Sequence, residues 1–139
     1  MKNDNNRCAL AATCAVAAEL SRRGYDVAFT LGNVPRLDLI ASVPDGQPFK
    51  IQVKGIRNQN GLWVQSTFFK AKPQDDLFLI IVLMAKPNIE NSALFRFFIL
   101  SHRQAIAEGK AMPVPFEQGL NWGPLKKYEN RWDTLPPLP

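Results

Sequence analysis

Arg36-Leu-Asp-Leu-Ile-Ala41 and, after a turn, Phe49-Lys-Ile-Gln-Val-Lys-Gly55 decide how this chain folds. In the first stretch Leu37, Leu39 and Ala41 alternate with Arg36, Asp38 and Ile40. In the second, Ile51 and Val53 alternate with Gln52 and Lys54. A period of two is the mark of a half-buried strand, because successive side chains leave a strand on opposite faces. Between them Pro44-Asp45-Gly46-Gln47-Pro48 concentrates turn formers, with Asp-Gly at its centre. The spacing therefore predicts an antiparallel hairpin of strands Arg36–Val43 and Phe49–Gly55.

Upstream, Asp4 to Arg23 reads as a helix capped by Asp4 or Asn3 and rich in alanine. Leu10, Thr13, Val16, Ala17 and Leu20 fall on one face at spacings of three and four. Gly24 stops it, since a left-handed residue at that position costs glycine least. Tyr25 to Leu31 reads as a first strand.

Downstream, Leu62 to Thr67 is expected to be a short strand and Phe68 to Asp76 irregular. Asp76 to Ala85 holds the run Leu77-Phe-Leu-Ile-Ile-Val-Leu-Met-Ala85, which predicts a central strand buried on both faces. Ala93 to Leu100 is a further strand, and Ser101 caps a helix from His102 to about Gly109. Lys110 to Gly123 reads as irregular, Pro124 to Asn130 as a helical turn or two. Trp132 and Leu135 are expected to anchor the end to the core. The whole is an α/β domain: a mixed β-sheet with flanking helices, in the order helix, strand, hairpin, strands, helix.

A length of 139 residues fits one domain, residues 1–139, with one core. No apolar run reaches the roughly 20 residues of a membrane span. The N-terminus lacks the charged-then-apolar layout of a signal peptide, so a cytoplasmic protein is expected. The net charge of +5 and pI near 9.5 favour a polyanionic partner mildly. Cys8 and Cys14, six residues apart on one helix, point about 120° apart. They are poorly placed to bridge, make no zinc cluster, and read as small apolar packers.

The hairpin also carries the chemistry. Asp38 offers a charged oxygen, Gln52 a neutral amide oxygen, and the Val53 carbonyl a third hard donor. Such a set suits Mg²⁺, which keeps several waters and needs few protein ligands. Lys54, two residues from Gln52 and so on the same strand face, can orient an attacking water or offset developing negative charge. If Leu37, Leu39, Ile51 and Val53 pack inward, placing Asp38, Gln52 and Lys54 together is the arrangement that leaves no charge in the core. Arg36 and Lys50, on the same faces, are candidate phosphate contacts.

An acid on one hairpin strand, thirteen residues, then Gln52-Val53-Lys54 resembles the signature of the PD-(D/E)XK nuclease superfamily. The stretch Ala17-Ala-Glu-Leu-Ser-Arg-Arg-Gly-Tyr-Asp-Val27 resembles the alanine-rich helix that precedes the first strand in that superfamily. Gln-x-Lys in place of Glu-x-Lys is similar to the branch with group I intron homing endonucleases and small bacterial relatives, whose C-terminus Tyr128-Glu-Asn-Arg-Trp-Asp133 also resembles. The resemblance implies a restriction-endonuclease-like core and a Mg²⁺- or Mn²⁺-dependent endonuclease, a hydrolase of DNA phosphodiester bonds. Asp38, Gln52 and Lys54 would be catalytic and Asp38, Gln52 and Val53 metal-binding. It further implies a helix carboxylate near the metal. The expected position falls near Thr13, and Glu19 is the acid available, with a surface pair to Arg23 as its alternative. Gln52 also removes one negative charge from the site. The second reading is therefore a weak or inactive nuclease-fold module that binds DNA or a protein partner, such as a toxin it neutralises. A catalytic domain of this size would need a homodimer to cut both strands.

Other residues carry less. Gln65 and Lys70 are weaker candidates to extend the site. His102 reads as a helix-start or surface residue, and the Phe and Trp residues as core.

Overall fold

The computed structural model describes residues 2–30, 38–57, 66–85, 94–110 and 122–139. Its elements are α1 (Lys2–Arg23), β1 (Asp26–Phe29), β2 (Leu39–Ser42), β3 (Pro48–Ile56), α2 (Ser66–Lys70), β4 (Leu77–Met84), β5 (Phe95–Ser101), α3 (His102–Lys110) and α4 (Trp122–Leu125). Two 3₁₀ turns follow, Lys126–Tyr128 and Trp132–Thr134. The strands form one sheet in the order β1-β2-β3-β4-β5. Only β3 and β4 run parallel; the other neighbours are antiparallel. The expected mixed sheet with flanking helices is what the chain forms.

The hairpin closes through Val43-Pro44-Asp45-Gly46, where the Gly46 N–H donates to the Val43 carbonyl at 2.8 Å. Asp45 has φ of 59°, the left-handed sign that a type II turn takes at its third residue, with Pro44 at the second. Register then follows from burial. Leu39 pairs with Ile51 and Ala41 with Phe49, and all four are buried.

Alternation along β3 and β4 divides the apolar side chains into two layers. On one face Leu39, Ala41, Phe49, Ile51, Val53, Phe78, Ile80 and Val82 pack under α1 through Cys8, Ala12, Val16, Ala17 and Leu20. On the other, Leu77, Leu79, Ile81, Phe98 and Leu100 pack under α2 and α3 with Phe68, Phe69 and Ala105. β4 faces both layers, which is why its sequence is unbroken in apolar residues.

The helix face differs from the expectation at Leu10, which is 65% exposed. Cys8 and Ala12 take the inward positions instead. Small residues serve there because α1 crosses β3 closely: a Cβ built on Gly55 would sit 2.7 Å from the Ala12 Cβ and 2.9 Å from the Cys8 carbonyl oxygen. Cys14 is exposed rather than a packer, and both cysteines are free. α1 ends as expected. Gly24 has φ of 110°, its N–H reaches the Ser21 carbonyl and the Tyr25 N–H that of Leu20, a Schellman arrangement.

Three further differences concern boundaries and burial. Ser66 and Thr67 begin α2 instead of ending a strand, and Phe68 and Phe69, expected to be irregular, are its buried anchors. Residues 62–65, Arg36 and Leu37 lie outside the described residues; Asp38 is a bend rather than strand, and β2 runs from Leu39 to Ser42. His102 is fully buried, not a surface residue. Its Nε2 lies 2.6 Å from the Phe68 carbonyl oxygen, and its Nδ1 accepts the Gln74 N–H at 3.0 Å. The neutral ring with its proton on Nε2 satisfies both. Ser101 caps α3 as expected, and Gln104 completes a capping box: the Gln104 N–H donates to Ser101 Oγ and Gln104 Oε1 accepts the Ser101 N–H.

The C-terminal segment wraps the β5 edge. Leu125 and Tyr128 belong to the α3 layer, Trp132 and Leu135 to the α1 layer. Between them Glu129 bridges Phe98 and the Asn130 N–H donates to the Phe97 carbonyl at 2.9 Å. Arg96 holds the Glu129 carboxylate through both its Nε and Nη2, and Tyr25 Oη donates to the Pro136 carbonyl at 2.7 Å. Trp132 and Leu135 thus anchor the end to the core.

Because α1 leaves no room for a methyl group at position 55, Gly55→Ala is expected to lower stability by about 1–3 kcal/mol. Urea denaturation followed by tryptophan fluorescence measures this, and an unchanged midpoint would contradict the close helix crossing.

Candidate metal and phosphate site

Asp38 stands one residue before β2. It lies in a bend, and its N–H donates to the Ile51 carbonyl at 3.0 Å, while the paired register begins at Leu39 with Ile51. Leu39, Ile51 and Val53 all face α1. Gln52 and Lys54 therefore emerge on the opposite face, and the Asp38 carboxylate meets the Gln52 amide there.

The carboxylate of Asp38 is held tightly. Its Oδ2 accepts the Val53 backbone N–H at 2.8 Å and Gln52 Nε2 at 3.1 Å. Burial pushes the Asp38 carboxyl above the usual carboxylate range, against the hydrogen bond from the Val53 N–H, which favours the ionised form. The other end of the Gln52 amide is unusual. Oε1 is buried and, among the described residues, has no hydrogen-bond partner. A buried acceptor left without a donor costs about 1–3 kcal/mol, and such groups call for an explanation in a missing water, ion or function.

This oxygen is a candidate donor to a divalent cation. The amide end that meets the half-buried Asp38 carboxylate is Nε2; the unsatisfied oxygen is the opposite end, and a half-turn of the amide would bring it toward Asp38. In an extended strand a residue's C=O leaves on the same side as its N–H, so the Val53 carbonyl shares the strand side that faces Asp38. One carboxylate and two neutral oxygens suit a cation that retains waters, as Mg²⁺ does. Among the described residues no three His, Cys, Asp or Glu side chains gather to hold a metal. Asp38 is accordingly the sole charged donor of this set.

Lys54 is half-buried on the Gln52 face, and among the described residues it has no hydrogen-bond or ion-pair partner. α2 and α3 cover the β4–β5 part of this face but leave the β1–β3 part open. There Ala28 and Ile40 are exposed, and Lys50, Gln52 and Lys54 are only half-covered. The candidate residues thus line an accessible shelf beside a packed wall.

The remaining candidates separate. Glu19 sits on α1, which covers the other face, and its carboxylate is bound by Arg22 and, at 2.9 Å, by Arg23 Nε. The Arg22 hydrogen bond holds its carboxyl below the usual range. The surface pair considered as its alternative is what forms, and Glu19 is not brought to Asp38. Lys50 shares the Gln52 face, but its Nζ donates to Gln74 Oε1 at 2.7 Å and lies 3.6 Å from Asp76 Oδ2. Arg36 and Gln65 lie outside the described residues. Lys70 is exposed at the end of α2.

Two features escaped the sequence reading. One is the Val53 N–H clamp on Asp38, which depends on where β2 stops. The other is the chain from buried His102 through Gln74 to Lys50, which joins residues 28 and 24 positions apart. No local pattern signals either; only the Ser101-x-x-Gln104 capping box was readable nearby.

The raised carboxyl sets a pH dependence. A folded value above the unfolded one means that the native state binds more protons in the interval between them. Stability from this group is therefore present on the acid side and lost as pH rises through the folded value. Asp38→Asn keeps an acceptor for the Val53 N–H without the charge, so the variant is expected to melt higher than the native chain at neutral pH. The gap should close on acidification, in thermal melts followed by circular dichroism; a variant that melts lower at neutral pH would contradict this cost. Compared with known proteins, the chain matches no family model, no curated protein and no solved structure.

Proposed function

We propose that this protein is a divalent-metal-dependent endonuclease that hydrolyses DNA phosphodiester bonds, on a restriction-endonuclease-like core. The observation that carries the reading is the Asp38 carboxylate held against the Gln52 amide, whose oxygen is buried and unsatisfied among the described residues, with Lys54 two residues on along the same face of β3. Asp38, Gln52 Oε1 and the Val53 carbonyl would hold Mg²⁺ or Mn²⁺. When bound, the cation would lower the pKa of a water and offset charge on the phosphoryl oxygens.

The residues of the chain do the rest. The Val53 N–H fixes the Asp38 carboxylate in place, so that little reorganisation is needed on binding. Lys54, without a competing partner among the described residues, is available to orient the attacking water or to carry the charge that develops at phosphorus. The open β1–β3 shelf gives a duplex or single strand access that the α2–α3 half does not. Lys50, steadied by Gln74 and Asp76, would touch the backbone at most as a positioning contact, without sequence choice. A homodimer would let two such sites act on opposite strands.

A second reading rests on Glu19. With that carboxylate engaged by Arg22 and Arg23, Asp38 is the single acid of the site among the described residues, and the fold would serve as a binding module for DNA or for a protein such as a toxin. Binding that falls steeply with salt points to DNA. A complex that persists in high salt without metal points to a protein. No helix among the described residues is long and apolar enough to cross a membrane.

The enzymatic reading is tested on duplex, single-stranded and branched DNA by gel assay. Cleavage is expected with Mg²⁺ or Mn²⁺ and not with chelator. Asp38→Ala and Lys54→Ala should each reduce it by roughly 100-fold or more, the scale of losing one electrostatic contact to the transition state. Native protein that leaves all three substrates intact would remove the nuclease assignment and leave the binding module.

A further inference from the structure

The Gln52 amide is turned the wrong way for a ligand. Its NH₂ faces Asp38 and its oxygen is buried without a donor. Binding a cation between Gln52 and Asp38 needs the reverse, with two oxygens converging. The terminal torsion of a glutamine is broad and roughly two-fold, so a half-turn exchanges the two ends without moving β3. With no cation present, that exchange would set an amide oxygen against a carboxylate, which is repulsive. With a small dication between them, the same contact is attractive, and that attraction must outweigh both the lost Nε2–Oδ2 bond and the burial of the NH₂ where the oxygen stood.

We infer that the Gln52 side chain is a cation-operated latch: it caps Asp38 through Nε2 when the site is empty and turns its oxygen inward only for a small divalent cation. The inference rests on the cation-site reading above and adds to it a specificity-determining role for Gln52. A monovalent ion offers too little charge density to offset the lost Nε2–Oδ2 hydrogen bond. A glutamate at this position would have no donor to lend, so the empty site would hold two facing carboxylates and no latch. The Val53 N–H stays on Asp38 Oδ2 at 2.8 Å in the capped state, so the carboxylate keeps its place while the amide moves.

The test is the side-chain NH₂ signal of Gln52 in ¹⁵N-labelled full-length protein, assigned by its loss in Gln52→Met. In metal-free protein one of the two protons should resonate in the hydrogen-bonded range and exchange slowly. MgCl₂ should shift it to the range of a free amide, with the same saturation curve as the Val53 backbone N–H. KCl of equal ionic strength should leave it in place, and so should MgCl₂ added to Asp38→Asn. Saturable movement of the Val53 N–H with an unmoved Gln52 NH₂ would overturn the latch and leave the cation site intact. An NH₂ that moves equally in KCl, or in the Asp38→Asn protein, would also overturn it. No response of either group to MgCl₂ would remove both the latch and the cation site.

Discussion

Strict alternation along β3 is the constraint from which the rest follows. Phe49, Ile51 and Val53 must lie under α1, and that commitment turns Lys50, Gln52 and Lys54 to the far side. The same logic acts on β2 through Leu39 and Ala41 and brings Asp38 round with them. A slip of one residue would exchange the faces and bury three polar side chains in the α1 layer, a cost of several kcal/mol in unpaired groups. The apolar layer therefore sets the polar constellation, though no apolar residue belongs to it.

What makes the constellation usable is uneven cover. α1 and the C-terminal residues Trp132 and Leu135 seal one face of the sheet, whereas α2 and α3 seal only the β4–β5 half of the other. β4, apolar on both faces, demands that cover; β2 and β3, polar on their outer face, do not. The boundary between covered and open sheet runs along β3, where Gln52 and Lys54 stand. A half-buried carboxylate and an orphaned amide oxygen at such a border carry a standing cost to stability, a pattern expected where a site is kept for function.

The packed wall is itself held by polar groups that the hydrophobic pattern does not announce. His102, fully buried, joins α2, the segment before β4 and the start of α3. Glu108 accepts the Tyr128 hydroxyl at 2.7 Å. Burial of Tyr128, added to the Glu108 carboxylate beside it, pushes its hydroxyl well above the usual range. On the β5 edge the Arg96–Glu129 pair and the Asn130 N–H close a strand that would otherwise offer unpaired backbone groups.

The sequence by itself determined the helix and its glycine stop, the hairpin, the doubly buried strand and the capped third helix. Each is written in a local period or a local turn residue, which is physics of near neighbours. It also determined that Gln52 and Lys54 share a face, because they stand two apart on one strand; bringing Asp38 to Gln52 depended on the register between two strands. Tertiary structure alone decided what those side chains touch. Glu19 had a local claim both to a site and to a surface pair with Arg23, and the placement of α1 on the opposite face left it to Arg22 and Arg23. Leu10 fitted the helical period, yet the close crossing at Gly55 selected Cys8 and Ala12 for the interface because they are small. Ser66 and Thr67 joined a helix through the burial of Phe68 and Phe69, and His102 entered the interior through partners 28 and 34 residues away. Such outcomes depend on distances between segments remote in the chain, and no short window of residues contains them.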